Sequence, residues 1–216
     1  MSHAPWTKIR ASSAAEVCKN FPLKEDARPL LRAGQSPREF LEALIAGGKH
    51  APAIEFLAHA LPPREAIWWG LLCLQQINGS MLSPAETAAC KAAVAWVLDP
   101  TEENRRAVRE PAQAAGPSTP AGVLALAATW TGGSLAPDPK PNPNPKVPPP
   151  PPVPPGPFLP ARAVAGAVLL VAVKGDPVRL AQTQRSFVEL GIGVAEGRFV
   201  WPEVEKKSAS SKTWNF

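Results

Sequence analysis

The chain is 216 residues long, enough to bury a substantial core, and carries 23 basic and 18 acidic side chains, 28 prolines, seven tryptophans and no tyrosine. Its three cysteines, Cys18, Cys73 and Cys90, are widely spaced and form no C-x-x-C pair, which excludes a disulfide framework and a thiolate zinc site and suits a reducing compartment. The net charge of +5 is no nucleic-acid footprint: residues 1–136 hold 13 basic and 12 acidic side chains, and the excess lies in 137–216, with 10 and 6.

Residues 1–11 read as a disordered lead-in with no apolar signal-peptide core. Ser12 and Ser13 can cap a short helix through Val17 and Cys18, ending near Phe21-Pro22. Ser36-Pro37-Arg38-Glu39 has the form of a capping box, with proline where no backbone donor is needed. Phe40, Leu41, Leu44 and Ile45 make one apolar face behind it, and Gly47-Gly48 ends the helix. Pro52 opens the next helix, with Ile54, Phe56, Leu57, Ala58 and Leu61 inward.

Leu61–Ile77 is the stretch around which the rest is organised. Pro62-Pro63 opens it, and Ile67, Trp68, Trp69, Leu71, Leu72, Cys73 and Leu74 fall on every face of a helix. A helix apolar all round yet too short for a bilayer must be surrounded by other helices. With the preceding helix it is expected to form a tight hairpin. Ser83-Pro84-Ala85-Glu86 is a second capping box, and Asp99-Pro100-Thr101-Glu102 has the same form, opening a polar helix that contains Arg105, Arg106 and Arg109. Thr119-Pro120 starts a helix through Trp130 that stops at Gly132-Gly133.

Fourteen of the prolines lie between Pro137 and Pro160. Alternating X-Pro pairs and the unbroken Pro148–Pro152 run enforce polyproline II, and fully extended the tract would span about 70 Å. Beyond it Leu159–Val173 reads as an apolar helix. Its 11-residue core, Ala163–Val173, falls short of the ~20 residues of a membrane span. Asp176-Pro177 then caps an amphipathic helix with Leu180, Phe187, Val188 and Leu190, ending at Gly191. Phe199, Val200 and Trp201 fit a short return segment, and 202–216 a disordered tail. The two helices after the tract offer too little apolar surface to fold alone. The reading is therefore one all-α domain over 12–201, a compact irregular array of about eight helices with a Pro-rich surface insertion at 137–160.

The run from Phe56 to Trp69 has the form F-L-A-H-A-L-P-x-R-E-A-x-W-W, and it resembles a bacterial domain family of unknown function in which that phrase is the most recognisable element. Gly132–Pro137, then prolines, then Ala161–Val168 resemble the same family's second half. The resemblance implies a single domain across the tract, no established activity, and a link to specialised bacterial secretion.

Candidate binding residues are Arg64 and Glu65 at the head of the central helix, flanked by Trp68 and Trp69. The alternative is that Glu65 favours the helix dipole while Arg64 bridges a carboxylate or stacks on Trp68. The tryptophans point about 100° apart, so both cannot serve one ligand wall. His59, with no second ligand at metal spacing, reads as a core or boundary histidine. Lys146, Pro149 and Pro152 fit a basic-x-x-P-x-x-P ligand form, which any proline run produces readily. No nucleophile elbow, phosphate loop or zinc motif occurs, and no catalytic residue, metal or cofactor is expected. The function expected is that of a non-enzymatic cytoplasmic interaction protein with a protein partner, no membrane span and no nucleic acid. The rival is an enzyme using Arg64, Glu65 and His59.

Overall fold

A computed structural model describes residues 6–78, 81–135 and 151–202. Among them every regular element is helical: α1 (Ala14–Cys18), α2 (Pro37–Ala46), α3 (His50–Ala60), α4 (Pro63–Asn78), α5 (Pro84–Leu98), α6 (Glu102–Ala107), α7 (Arg109–Ala115), α8 (Pro120–Thr129), α9 (Leu159–Lys174) and α10 (Leu180–Ala195). The protein is all-α, a compact helical array. None of these helices is long and apolar enough to cross a membrane.

Local chemistry sets most of the starts. The Ser36 and Ser83 hydroxyls accept from the Glu39 and Glu86 amides, and each glutamate reaches back to its serine N–H. These are complete capping boxes at α2 and α5, with Pro37 and Pro84 in the first turn. Ser13 and Thr119 cap α1 and α8 through their hydroxyls. Several boundaries differ from the sequence reading, among them the last helix, which opens at Leu180 without a side-chain cap because Asp176 caps the short 3-10 turn Pro177–Arg179 before it. The helix expected to open at Pro52 begins at His50, because the first several amides of a helix have no intrahelical acceptor and a proline fits there too. The expected capping box at Asp99 is not formed. Thr101 caps α6 by accepting from Asn104, while Asp99 ends α5. A single turn residue, the fully buried Val108, separates α6 from α7, so Arg109 opens α7 and does not continue α6.

The expected hairpin of α3 and α4 is also corrected. These helices touch little, and both lie instead against α9 and α10. The reason is in the composition of α9, which buries Ala163, Val164, Ala165, Ala167, Val168, Val171 and Ala172. A helix apolar on so many sides needs neighbours on all of them. It packs on α3, α4 and α8, with α8 its most extensive partner. Residues buried on both sides of the proline tract, from Ala14 to Ala195, form one continuous cluster. Trp68 and Trp69 sit at its centre, 1 % and 0 % exposed.

The final helix runs past Gly191 to Ala195. Both its glycines are there for close approach. A Cβ on Gly191 would lie 2.8 Å from Leu57 and 3.1 Å from the Trp69 ring, and one on Gly193 would meet the Phe199 ring. The lead-in packs from its first described residue: Trp6 and Ile9 lie against the core, and the Lys8 N–H donates to the Ala195 carbonyl at 3.1 Å. Residues 203–216, most of the expected tail, are outside the described range.

Of the tract expected at 137–160, residues up to 150 are likewise outside it, while 151–158 are described without regular structure and Leu159-Pro160 already belong to α9. The Leu135 N–H donates to the Val153 carbonyl at 2.7 Å, and the Val153 N–H donates to Ser134 Oγ at 3.0 Å. The chain therefore leaves and returns at one place. A segment that must return can stand off by about 25 Å at most at the polyproline rise, well short of the 70 Å of an open spacer.

Candidate functional site

Arg64 heads α4, where Pro63 places it in the first turn beside the end of α5. Its Nε donates to the Val97 carbonyl at 2.6 Å and its Nη2 to the Leu98 carbonyl at 3.0 Å. Those are among the last carbonyls of α5, which have no acceptor role within their own helix, and they carry the negative end of its dipole. The outer face of the guanidinium lies 3.9 Å from the centre of the Trp201 ring. Arg64 thus joins three segments distant in sequence. Glu65, half-buried, makes no hydrogen bond or ion pair among the described residues.

The two tryptophans expected beside Arg64 are core residues. Trp68 Nε1 donates to the Phe199 carbonyl at 3.1 Å and Trp69 Nε1 to the Phe187 carbonyl at 2.8 Å. A buried indole needs such an acceptor, and with both rings inside, the aromatic ring beside Arg64 is Trp201. Nothing local in the sequence marked that pairing. Of the proline-ligand residues, Lys146 and Pro149 fall outside the described range, and Pro152 is exposed at the foot of the tract.

Two clefts flank the Leu61-Pro62-Pro63 corner. One, of about 440 Å³, lies between Pro62, Pro63 and Arg64 on one side and Trp96, Pro100, Glu102, Arg105 and Gly132 on the other. The second, of about 480 Å³, is bounded by Arg10, Glu16, Asn20, His59 and the same prolines. Glu65 lines neither. His59 stacks on Phe21 at 4.5 Å, and its Nδ1 lies 2.9 Å from the Glu55 carbonyl. Burial, chiefly, lowers its pKa below 6.5 and keeps the ring neutral near neutral pH. The Nε2 is buried without a partner. This is a boundary histidine held by its own helix.

Arg105, which the sequence left as one of three arginines in a polar helix, is the charged group most deeply placed at the first cleft, 7 % exposed. It grips Glu102 through two 2.7 Å bonds and donates to the Thr129 carbonyl at 2.6 Å. The hydrogen bonds from Arg105 first, then Arg106, pull the Glu102 carboxyl down to about 2. Gly133 has φ +69, and a Cβ there would run into the Arg105 guanidinium, so glycine is required on both counts. Arg109 adds a 2.8 Å bond to the Ser134 carbonyl. Together α6 and α7 clamp the segment from which the tract departs.

Thiolate chemistry has little support among the described side chains. Burial pushes the Cys18 thiol up to about 11 and Cys90 to about 12, and holds Cys73 well above the ordinary thiol range, so all three are protonated and poor nucleophiles. No three His, Cys, Asp or Glu side chains among the described residues gather where a metal ion would fit.

No curated protein and no solved structure matches the chain. A family model does, over residues 40–195, which takes in the Phe56–Trp69 phrase and both sides of the proline tract but neither the lead-in nor Trp201. The chain belongs to DUF6931, a family of unknown function.

Proposed function

We propose that this protein is a non-enzymatic interaction protein, an adaptor or accessory, chaperone-like subunit of a bacterial cytoplasmic assembly, with secretion machinery as the candidate setting. The observation that carries the reading is the closed base of the proline tract. Leu135 and Val153 are hydrogen-bonded to each other, and Arg105 and Arg109 donate to the Thr129 and Ser134 carbonyls just before them in the chain. A proline-rich segment presented from a rigid base has already lost part of the conformational freedom that binding would otherwise cost. A mere tether between two bodies needs no such clamp.

The test is crosslinked affinity purification from the native cell, with the intact chain and with one in which 137–151 is replaced by a Gly-Ser pair. A defined partner set captured by the first and lost from the second is the expected result. Recovery of chaperones alone with both forms sinks the adaptor reading. The cleft that Arg64 lines favours one alternative, an enzyme of unassigned reaction with a polar site near Arg64 and Glu65, and turnover of a metabolite extract that is lost in Arg64→Lys while circular dichroism shows that variant folded would support it.

A further inference from the structure

At the corner where the lead-in, α2, α4 and the segment after α10 meet, cations and aromatic rings interleave. Arg64 lies 3.9 Å and Lys8 6.0 Å from the Trp201 ring centre, Arg198 lies 5.2 Å from Phe199, and Arg38 lies 5.9 Å from Trp6. Glu196 binds the corner together: its carboxylate, with a side chain only 6 % exposed, accepts from Arg38 at 3.2 Å and from Arg198 at 2.6 Å. The other carboxylate there among the described residues is Glu42, paired with Arg38. Among the described residues four cations thus face two carboxylates, and neither Lys8 nor Arg64 has a carboxylate partner. Beside them Phe199 and Val200 are 39 % and 52 % exposed in the irregular segment after α10.

We propose that this corner is a docking surface for an acidic polypeptide segment that carries apolar side chains. Its carboxylates would meet Lys8 and the Arg64 and Arg198 guanidinium groups while an apolar side chain covers Val200. Three features favour that occupant. The composition, arginine and tryptophan around an exposed apolar spot, is that of interface hot spots. The cations are held against rings or carbonyls, so little side-chain freedom is lost when an anion arrives. The charge excess is small and mixed with carboxylates, and Arg64 covers the Trp201 ring. A nucleic acid would want a continuous positive track and open rings for its bases. The surface is also supplied mainly from outside residues 40–195, the part shared with the family. The inference rests on the reading of the chain as an interaction protein, but on a different surface from the proline tract.

The probe is a short fluorescein-labelled peptide alternating glutamate and leucine, titrated by anisotropy against the full chain. It should bind with an affinity that falls as salt rises, and a glutamate–glycine peptide of equal charge should bind roughly tenfold more weakly. Lys8→Glu and Val200→Ser each lower the affinity several-fold. Arg179→Glu makes the same charge change as Lys8→Glu at a side chain 74 % exposed elsewhere and leaves the affinity within about twofold. Circular dichroism confirms that each variant is folded. An equal loss with Arg179→Glu, equal binding of both peptides, absence of binding, or equally tight binding of a single-stranded oligonucleotide or an anionic vesicle overturns the proposal. The chain shortened at 137–151 should bind the peptide like the intact one, which separates failure here from failure of the tract. Loss of binding in that variant overturns the assignment to this corner.

Discussion

At the scale of single residues, the sequence spoke clearly where a side chain acts on its own backbone neighbourhood and was silent where its partner is remote. Ser36 and Ser83 could be assigned as caps because their acceptors and donors lie three residues away. Gly191 looked like a helix end because glycine breaks helices on propensity, but its role is set by Leu57 and Trp69, far off in the chain. Glu102 sits between these cases: its pairing with Arg105 three residues on is local to one helix, but the burial of that guanidinium against the Thr129 carbonyl follows only from the fold. That pairing gives a pH prediction. The folded-state value of about 2 lies below the ordinary 4.5, so the contribution is fully present above about pH 4.5 and is lost as pH falls toward 2. Urea midpoints of the native chain and of Glu102→Gln, measured across pH, should differ by a constant amount near neutrality and converge in acid. A gap that stays constant down to pH 2 would remove the Arg105 pair from the account of stability.

At the scale of elements, what was legible was existence, type and approximate extent, since caps, proline positions and apolar spacing are written within each helix. What was not legible was which helices become neighbours. α3 and α4 are joined by a two-residue corner and so read as a hairpin, yet α9, some 100 residues later, and α10 after it are the surfaces on which both helices pack. The same limit hid the nature of the Arg64 site. Read along α4, the nearest aromatic rings were Trp68 and Trp69, and only the fold brings Trp201 to the guanidinium and turns both tryptophans inward. Arg64 acts on another element, holding the last carbonyls of α5. Arg64→Met should therefore destabilise the protein by about 2 kcal/mol in urea unfolding, the value of charged hydrogen bonds to helix-end carbonyls. Arg64→Lys should recover only part of it, because an ammonium cannot reproduce the two-pronged donation. An unchanged midpoint in Arg64→Met would assign the residue to binding alone.

At the scale of the molecule, the question is how a chain cut by so many prolines keeps one core. Apolar surface decides it: α8 and α9, on opposite sides of the tract, bury most and half of their residues respectively, and each is the other's main partner. Neither side can exclude water from its own face without the other. The tract then has to close on itself, and the Leu135–Val153 and Val153–Ser134 hydrogen bonds are where it does so. Closing a loop costs entropy that grows only slowly with length. Replacing 137–151 by a Gly-Ser pair should therefore leave the fold intact and raise stability by up to about 1 kcal/mol, about 2–4 °C in melting temperature for a chain of this size. A chain ending at Leu135 should instead fail to fold cooperatively, since it leaves the α9-facing sides of α3, α4 and α8 open to water. Differential scanning calorimetry distinguishes the two outcomes directly. Loss of the transition in the shortened loop would mean that the tract itself contributes packing; a sharp transition in the truncated chain would mean that two cores exist where the buried cluster indicates one.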